Sequence, residues 1–483
     1  MPSTSPEKRF FGHPFQLSSI FHIELWERFS FYGMQSILLI YLYYAVKDGG
    51  LGIDQGLAGG IVGAYSAFIY LSAILGGWIA DRVLGAERTL FYSGWVVMLG
   101  HIMLALLPGL QGLVVGLVLT ALGSGGVKSS ASAMVGSLYE RDDLRPLRDA
   151  GFSIFYISVN IGGFFGPLLT GLLQTNMGFH YGFGLAALGM AGGLLWYSRG
   201  RKILPRMAPV NPLHGRQLTV AALVGLAGVI VILMAVIFGW INAHNYSNIF
   251  LWAGIIVLVG YFSRFLLGSA CSRTEKRHIA AYLPLFLVSC AFWALWEQVF
   301  TSVTIYFDET VDRVYGSFTV PVAWASSAQS FWVILLSGVL AALWTKMGPR
   351  QPRTPMKFSL SLLVLALAYY SFVPFLQHET AMPLPVYMGL PLLLVTISEL
   401  LLSPVALSFS TKIAPASCKA QMVALNFLAI SLGSVVGGQL FELGYHKESA
   451  ADFYLLLVTI AVVGAVALLL LVPLLNRMLH DVE

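Results

Sequence analysis

Six ionisable side chains lie inside otherwise apolar stretches of this sequence: Glu24, Glu27, Arg28, Lys128, Glu297 and Glu399. A charge at bilayer depth costs about 2.5 to 3.5 kcal/mol, so such groups turn toward one another or toward a wet cavity. On a helix, Glu24 and Arg28 stand four apart and Glu27 stands three from Glu24, which sets all three on or near one face. Tyr32 and Gln35 follow one and two turns on. A carboxylate beside a cation can alternate between pairing with it and releasing it, which is the chemistry of reversible proton exchange and is assigned to Glu24 and Glu27. The guanidinium of Arg28 and the ammonium of Lys128 both donate to a carboxylate. Singly, each charge also fits an ion pair that fixes helix packing. Six together point to function.

The elements that must hold these groups are membrane helices. The 483 residues are 57% hydrophobic and 11% charged, with a mean hydropathy of +0.77, whereas soluble domains carry about 25% charged residues. Apolar stretches recur at about 17–46, 56–80, 88–108, 111–138, 150–175, 179–198, 217–243, 246–269, 279–306, 317–346, 355–376, 385–411, 419–444 and 452–476. Each is long enough to cross the roughly 30 Å apolar core as a helix. The expected fold is all-α and polytopic, with fourteen transmembrane helices arranged as six, two and six. The corresponding boundaries are a tail at 1–16, a bundle at 17–199, linkers and an inserted hairpin at 200–278, a second bundle at 279–478 and a tail at 479–483.

The short polar segment 1–8 does not read as a cleavable signal peptide. Cys271, Cys290 and Cys418 have no motif spacing, so neither a disulfide nor a zinc site is indicated. With Met1 inside, the inner loops gather Arg82 and Arg88; Arg141, Arg145 and Arg148; Arg199, Arg201, Lys202, Arg206 and Arg216; Arg273, Lys276 and Arg277; and Lys346, Arg350, Arg353 and Lys357. The outer loops carry little beyond Lys47, Arg313 and Lys447, which predicts that both termini are cytoplasmic. The net charge of +5 is then a topology signal and not a nucleic-acid footprint.

A faint internal echo suggests two related halves. Gly77-Trp-Ile-Ala-Asp81-Arg82-Val-Leu-Gly85-Ala-Glu-Arg88 follows the second span, and Lys346-Met-Gly348-Pro-Arg350 follows the second span of the last six. Both read as tight, basic Gly turns, and two six-helix halves flanking one site are a common transporter plan. Arg28 and Lys128 fall in the first half, Glu297 and Glu399 in the second. A cavity between such halves would have a positive and a negative wall, suited to a zwitterion with separated ends. At about 3.3 to 3.6 Å per extended residue, the ends of two or three residues lie roughly 7 to 11 Å apart, so fixed poles gauge length. In this scheme Glu399 receives the amino end and Glu297 pairs across the outer gate.

The Gly77–Arg88 loop resembles the loop between the second and third helices of the major facilitator superfamily. Glu24-x-x-Glu27-Arg28-Phe29-x-Phe31-Tyr32-Gly33 resembles the signature of the proton-coupled oligopeptide transporters, with Phe31 where that family usually has Tyr. Gly76-Gly77-Trp78-Ile79-Ala80-Asp81, Phe155-Tyr156-Ile157-Ser158-Val159-Asn160-Ile161-Gly162 and Glu399-Leu-Leu-Leu-Ser403-Pro404 extend the resemblance over nearly the whole chain. It implies a major facilitator fold with an inserted helix pair, importing di- and tripeptides by alternating access, with protons as coupling ion and no cofactor. It also implies a monomer spanning the lipid bilayer of a bacterial inner membrane, with no nucleic-acid partner. Proton coupling would involve Glu24, Glu27, Arg28, Lys128 and Glu297, and Asp81, Arg82 and Arg88 would form a conformational loop. The pocket would draw on Arg28, Tyr32, Tyr70, Lys128, Tyr156, Asn160, Glu297, Glu399 and Ser403.

Three departures bear on substrate choice. Trp332 stands where the resemblance predicts an asparagine, Asn426 stands where it predicts a tryptophan, and Ser129-Ser130 replaces a Pro-Asn pair. A pocket narrowed on the amine side is therefore expected. Import of another small zwitterionic or anionic solute, or peptide sensing without transport, remains an alternative. Gly123-Ser124-Gly125 with His101 nearby superficially resembles an intramembrane serine nucleophile, but no separate base and orienting residue can be placed. The helix pair at 217–269 has no charge at depth, only Arg264 near one end. Its Gly225, Gly228 and Gly239 suit close packing in a peripheral hairpin.

Overall fold

The computed structural model describes residues 9–205, 207–242, 245–268, 271–415 and 419–480. The segment 1–8, Arg206 and Cys418 lie outside the described residues. A short antiparallel hairpin, β1 (Arg9–Phe10) and β2 (His13–Pro14), leads into the helices. The first six are α1 (Gln16–Tyr43), α2 (Gln55–Ile79), α3 (Ala86–Leu106), α4 (Gly109–Leu138), α5 (Arg148–Met177) and α6 (Phe179–Gly200). Next come α7 (Arg216–Ile237) and α8 (Tyr246–Leu267), then α9 (Arg273–Trp296), α10 (Ser302–Glu309), α11 (Trp324–Met347), α12 (Thr354–Tyr370), α13 (Val373–Gln377), α14 (Leu384–Lys412), α15 (Lys419–Gly444) and α16 (Ala450–Met478).

Fourteen of these match the sequence-derived spans, with α10 and α13 as short continuations of α9 and α12. Among the described residues, eleven helices are long and apolar enough to cross a membrane. α1 is not one of them because Glu24, Glu27 and Arg28 fall together within it. The span expected at 317–346 begins only at Trp324. Residues just before it form the hairpin β3 (Val314–Tyr315) and β4 (Phe318–Thr319), whose turn uses Gly316 at φ 63°.

The chain forms two compact units: residues 1–51 with 71–246, and residues 52–70 with 247–483. In the first unit α1 packs on α5 and α6, and α3 packs along α4. Glycines permit this closeness. A Cβ at Gly162 or Gly166 would press on the Leu25 or Phe29 carbonyl of α1, and one at Gly33 would lie 2.7 Å from Thr170 Cγ2. The run Gly123-Ser124-Gly125-Gly126 brings α4 against α3 and the latter part of α2, where a Cβ at Gly76 would sit 2.6 Å from Gly126 Cα. Leu17, Ile20, Val97, Val127, Met134 and Met190 fill the core between these helices.

In the second unit α12 packs on α14 and α16, and α9 packs on α15. The first part of α2 meets α15 backbone to backbone, a Cβ at Gly63 lying 2.6 Å from Gly438 Cα. α8 joins through Gly254 against Leu432 and through Phe262 against Phe286 of α9. The close packing expected of the α7 glycines is not realised: Gly225 and Gly228 meet no described atom within 4 Å, and Gly239 is a positive-φ residue past the helix end.

Both Gly turns of the internal echo carry positive φ, 81° at Gly85 and 49° at Gly348. After α2 the chain makes a π-turn over Ala80–Leu84, and the linker beyond α6 returns to it. There the Asn211 amide donates to the Asp81 carbonyl at 3.0 Å and the Leu213 amide to that of Arg82 at 2.9 Å.

Candidate functional site

In the first unit, α1 holds the three charges that helical spacing sets on one face, and α4 brings Lys128 to the same Phe31 ring as Arg28. Arg28 Nε donates to Glu24 Oε1 at 2.8 Å and lies 2.8 Å from Glu27 Oε2. All three side chains are buried, and Glu27 is 0% exposed. Ser124 Oγ, four residues before Lys128 on α4, donates to Glu27 Oε1 at 2.7 Å. Phe31 is shared by both cations, with Lys128 Nζ 4.8 Å and Arg28 Cζ 5.7 Å from its ring centroid. An aromatic face attracts cations, so this ring holds two like charges near one place without neutralising them.

Two carboxylates and two cations sum to zero when all are charged. This balanced cluster can remain buried where a net charge could not. Tyr32 is half-buried and meets Phe31 edge-on at 5.0 Å. On α5, Tyr156 is 46% exposed, and the Asn160 amide donates to its carbonyl at 2.8 Å.

The second unit carries its own constellation. One oxygen of Glu399, Oε2, accepts from the Trp296 indole and from the Gln329 amide, each at 3.2 Å. Both donors serve that oxygen, leaving Oε1 as an acceptor for another group. Trp296 is adjacent to Glu297 in sequence, but the fold delivers its indole to Glu399 across 103 residues. Glu297 is 1% exposed, accepts from Ser66 Oγ at 2.8 Å and forms no ion pair among the described residues. Trp332 is held by a 2.8 Å bond from its Nε1 to the Met388 carbonyl. Tyr70 stacks on Phe427 at 6.3 Å, Asn426 is buried and Ser403 is half-buried.

The expected loop residues do not pair with one another. Among the described residues Asp81, Arg82 and Arg88 form no ion pair. The charged contact of this region joins Glu87 to Arg201, whose guanidinium lies 4.0 Å from the Phe91 ring centroid. The Glu87 hydrogen bond, first among its causes, holds Arg201 above its usual pKa. Nor does Ser124 act as a serine nucleophile would require. Its hydroxyl is committed to Glu27, and neither ring nitrogen of His101 has a hydrogen-bond partner among the described residues.

Two helical units, each with polar chemistry seated inside long apolar helices, define a polytopic membrane transporter with the major facilitator fold. The POT family model matches residues 87–456, and the chain belongs to this family. It is 38% identical over 482 residues to the uncharacterized transporter YclF of Bacillus subtilis (strain 168), covering 99% of this chain and 97% of that one. It is 36% identical over 496 residues to a di-/tripeptide transporter of Lactococcus lactis subsp. cremoris, covering 99% of each. Its fold is similar to a crystal structure of a peptide transporter POT in complex with sulfate, with a TM-score of 0.92 at 37% identity, covering 98% of this chain and 97% of that one.

Proposed function

We propose that the protein is a proton-coupled symporter that imports di- and tripeptides by alternating access, acting as a monomer in the bacterial inner membrane. The observation that carries this reading is the neutral cluster of Glu24, Glu27, Arg28 and Lys128, with one acidic pole, Glu399, in the second unit. Arg28 and Lys128 take the peptide carboxylate, and the free oxygen of Glu399, within its own unit, suits an amino group. A third carboxylate entering the cluster leaves it one charge short of neutral. One proton taken by Glu24 or Glu27 restores the balance, and its loss on the other side frees the cations again.

Glu297, which takes hydrogen bonds from the hydroxyls of Ser66 and Ser434 and forms no ion pair among the described residues, is the second proton-exchanging group. Tyr32, Tyr70, Tyr156 and Asn160 line the side-chain pockets, together with Trp332, Ser403 and Asn426. The basic inner loops support cytoplasmic termini. Protons are the coupling ion and no cofactor is assigned. The names of the relatives support the peptide as substrate.

The test is uptake of a labelled dipeptide into liposomes with and without an inward proton gradient. Accumulation should require the gradient. Glu24→Gln or Glu27→Gln should abolish pH-driven accumulation and leave counterflow exchange. Accumulation without a gradient, or unaltered in both variants, would remove these carboxylates from the coupling.

A further inference from the structure

Where α4 ends and α5 begins, the first unit holds a cavity of about 610 Å3 that the proposed site does not use. Ser132, Gly136, Glu140, Arg145, Arg148 and Phe152 line it. Its position follows from helix register. Lys128, Ser132, Gly136 and Glu140 recur at intervals of four from α4 into the turn after it, and Arg148, Phe152, Tyr156 and Asn160 do so along α5. The cavity therefore lies toward the ends of the two helices that carry Lys128, Tyr156 and Asn160. At about 1.5 Å per residue, Gly136 lies roughly 12 Å along α4 from Lys128.

The chemistry of the first site is repeated here in an exposed form. Arg148 rests 5.8 Å from the Phe152 ring centroid and forms no ion pair among the described residues. Glu140, at the other edge, is exposed and forms none either. Arg145 is committed at 3.1 Å to Asp142. The cavity thus offers one uncommitted cation and one uncommitted carboxylate, with the hydroxyl of Ser132 on the same lining. Its wall is rigid: Tyr139 is 1% exposed, bonds to His13 Nδ1 at 2.8 Å and lies so close to Gly151 that a Cβ there would strike its hydroxyl. A volume of this order accommodates a small ligand with side chains.

We propose that this cavity is a second station for the same zwitterionic peptide, Arg148 receiving its carboxylate and Glu140 its amino group after the buried cations release it. The inference rests on the peptide-import reading. The station is the weaker of the two, since exposed charges are screened and their pairs contribute little. In the proposed orientation it lies at the cytoplasmic end and acts as a release site.

The experiment uses the full chain in liposomes and a dipeptide with a diazirine side chain, with adducts mapped by mass spectrometry. Adducts are expected at Ser132 or Phe152 as well as near Tyr156, and unlabelled dipeptide should compete for both sets. A dipeptide amidated at its carboxyl end should not compete at Phe152. Arg148→Gln and Glu140→Gln should each lower the Phe152 yield by roughly fivefold, the scale of one exposed charged contact, and Arg148→Lys should restore part of it. The proposal is overturned if phosphatidylglycerol suppresses those adducts and dipeptide does not, since the anion held would then be a lipid headgroup. Adducts near Tyr156 alone, with gradient-driven uptake intact, overturn the second station only. No adducts and no gradient-driven uptake overturn the import reading as well.

Discussion

Replacing Gly162 by alanine tests whether the position of Arg28 depends on how closely α5 approaches α1. The new methyl group would sit 2.7 Å from Arg28 Cβ and closer still to the Leu25 carbonyl. Real Cβ contacts begin at 3.0 Å and become ordinary at 3.4 Å, so Arg28 Cβ must retreat by 0.3 to 0.7 Å. The backbone carbonyl has no flexible end to yield, and the displacement therefore passes into α1. Overpacking of this kind costs about 1 to 3 kcal/mol of stability. The functional loss should be larger, because a displacement near 1 Å at a reacting group can lower rates roughly a hundredfold. Gly162→Ala should thus fold with a lowered melting temperature and show gradient-driven dipeptide uptake reduced by tenfold or more. Gly184→Ala is the control, since its Cβ would meet only Ala105 Cβ at 3.8 Å and should gain the helix preference of alanine over glycine. Uptake by Gly162→Ala within threefold of the natural protein would refute this account of how the site is held.

Ser124→Ala removes the hydroxyl that serves the buried Glu27 carboxylate at 2.7 Å. Such a bond is worth about 1.5 to 3 kcal/mol, so uptake should fall roughly ten- to hundredfold; Ser124→Thr should retain most of it, and equal losses would argue against the bond. Trp332→Ala removes an indole tied to the Met388 carbonyl and should admit tripeptides with large side chains as competitors of dipeptide uptake. Efficient competition by those tripeptides in the natural protein would count against a narrowed pocket. Burial pushes the Tyr139 hydroxyl, outside the membrane-spanning segments, from 10.0 up to about 12. The folded state keeps this proton where the unfolded chain loses it, so the stabilisation is complete below about pH 10 and is lost as the pH rises through about 12. The stability gap between the natural protein and Tyr139→Phe should therefore narrow over that window in thermal melts, and a constant gap would exclude the linkage.

The parts of this molecule that were readable in advance are local in sequence. Fourteen spans follow from runs of apolar residues, and the facing of Glu24, Glu27 and Arg28 follows from helical spacing. The unreadable parts depend on which helices become neighbours. Ser124 reaches Glu27 across 97 residues, and Arg201 reaches Glu87 across 114. The only local signal for Ser124 was its place one turn before Lys128, among glycines that bring α4 close to other helices. Trp296 serves Glu399 and not the adjacent Glu297 because neighbours in sequence, about 100° apart on a helix, point in different directions. The span expected at 317–346 takes in β4 because Phe318, Val320 and Val322 are as apolar as a helix terminus, whereas β3 and Gly316 fall in the gap before it.

The linker beyond α6 recognises the turn after α2 through main-chain atoms: two amides, at Asn211 and Leu213, and the two carbonyls of Asp81 and Arg82. Pro212 occupies the intervening position, where no amide hydrogen is needed. Evolution can therefore rewrite most side chains here while the docking persists. The inheritance left by this contact is a pattern of exclusions, with proline barred at 211 and 213 but tolerated at 212, and with a side chain barred at Gly85 by the Met207 carbonyl. Alignments scored on residue identity will find such a linker divergent even where its path is unchanged.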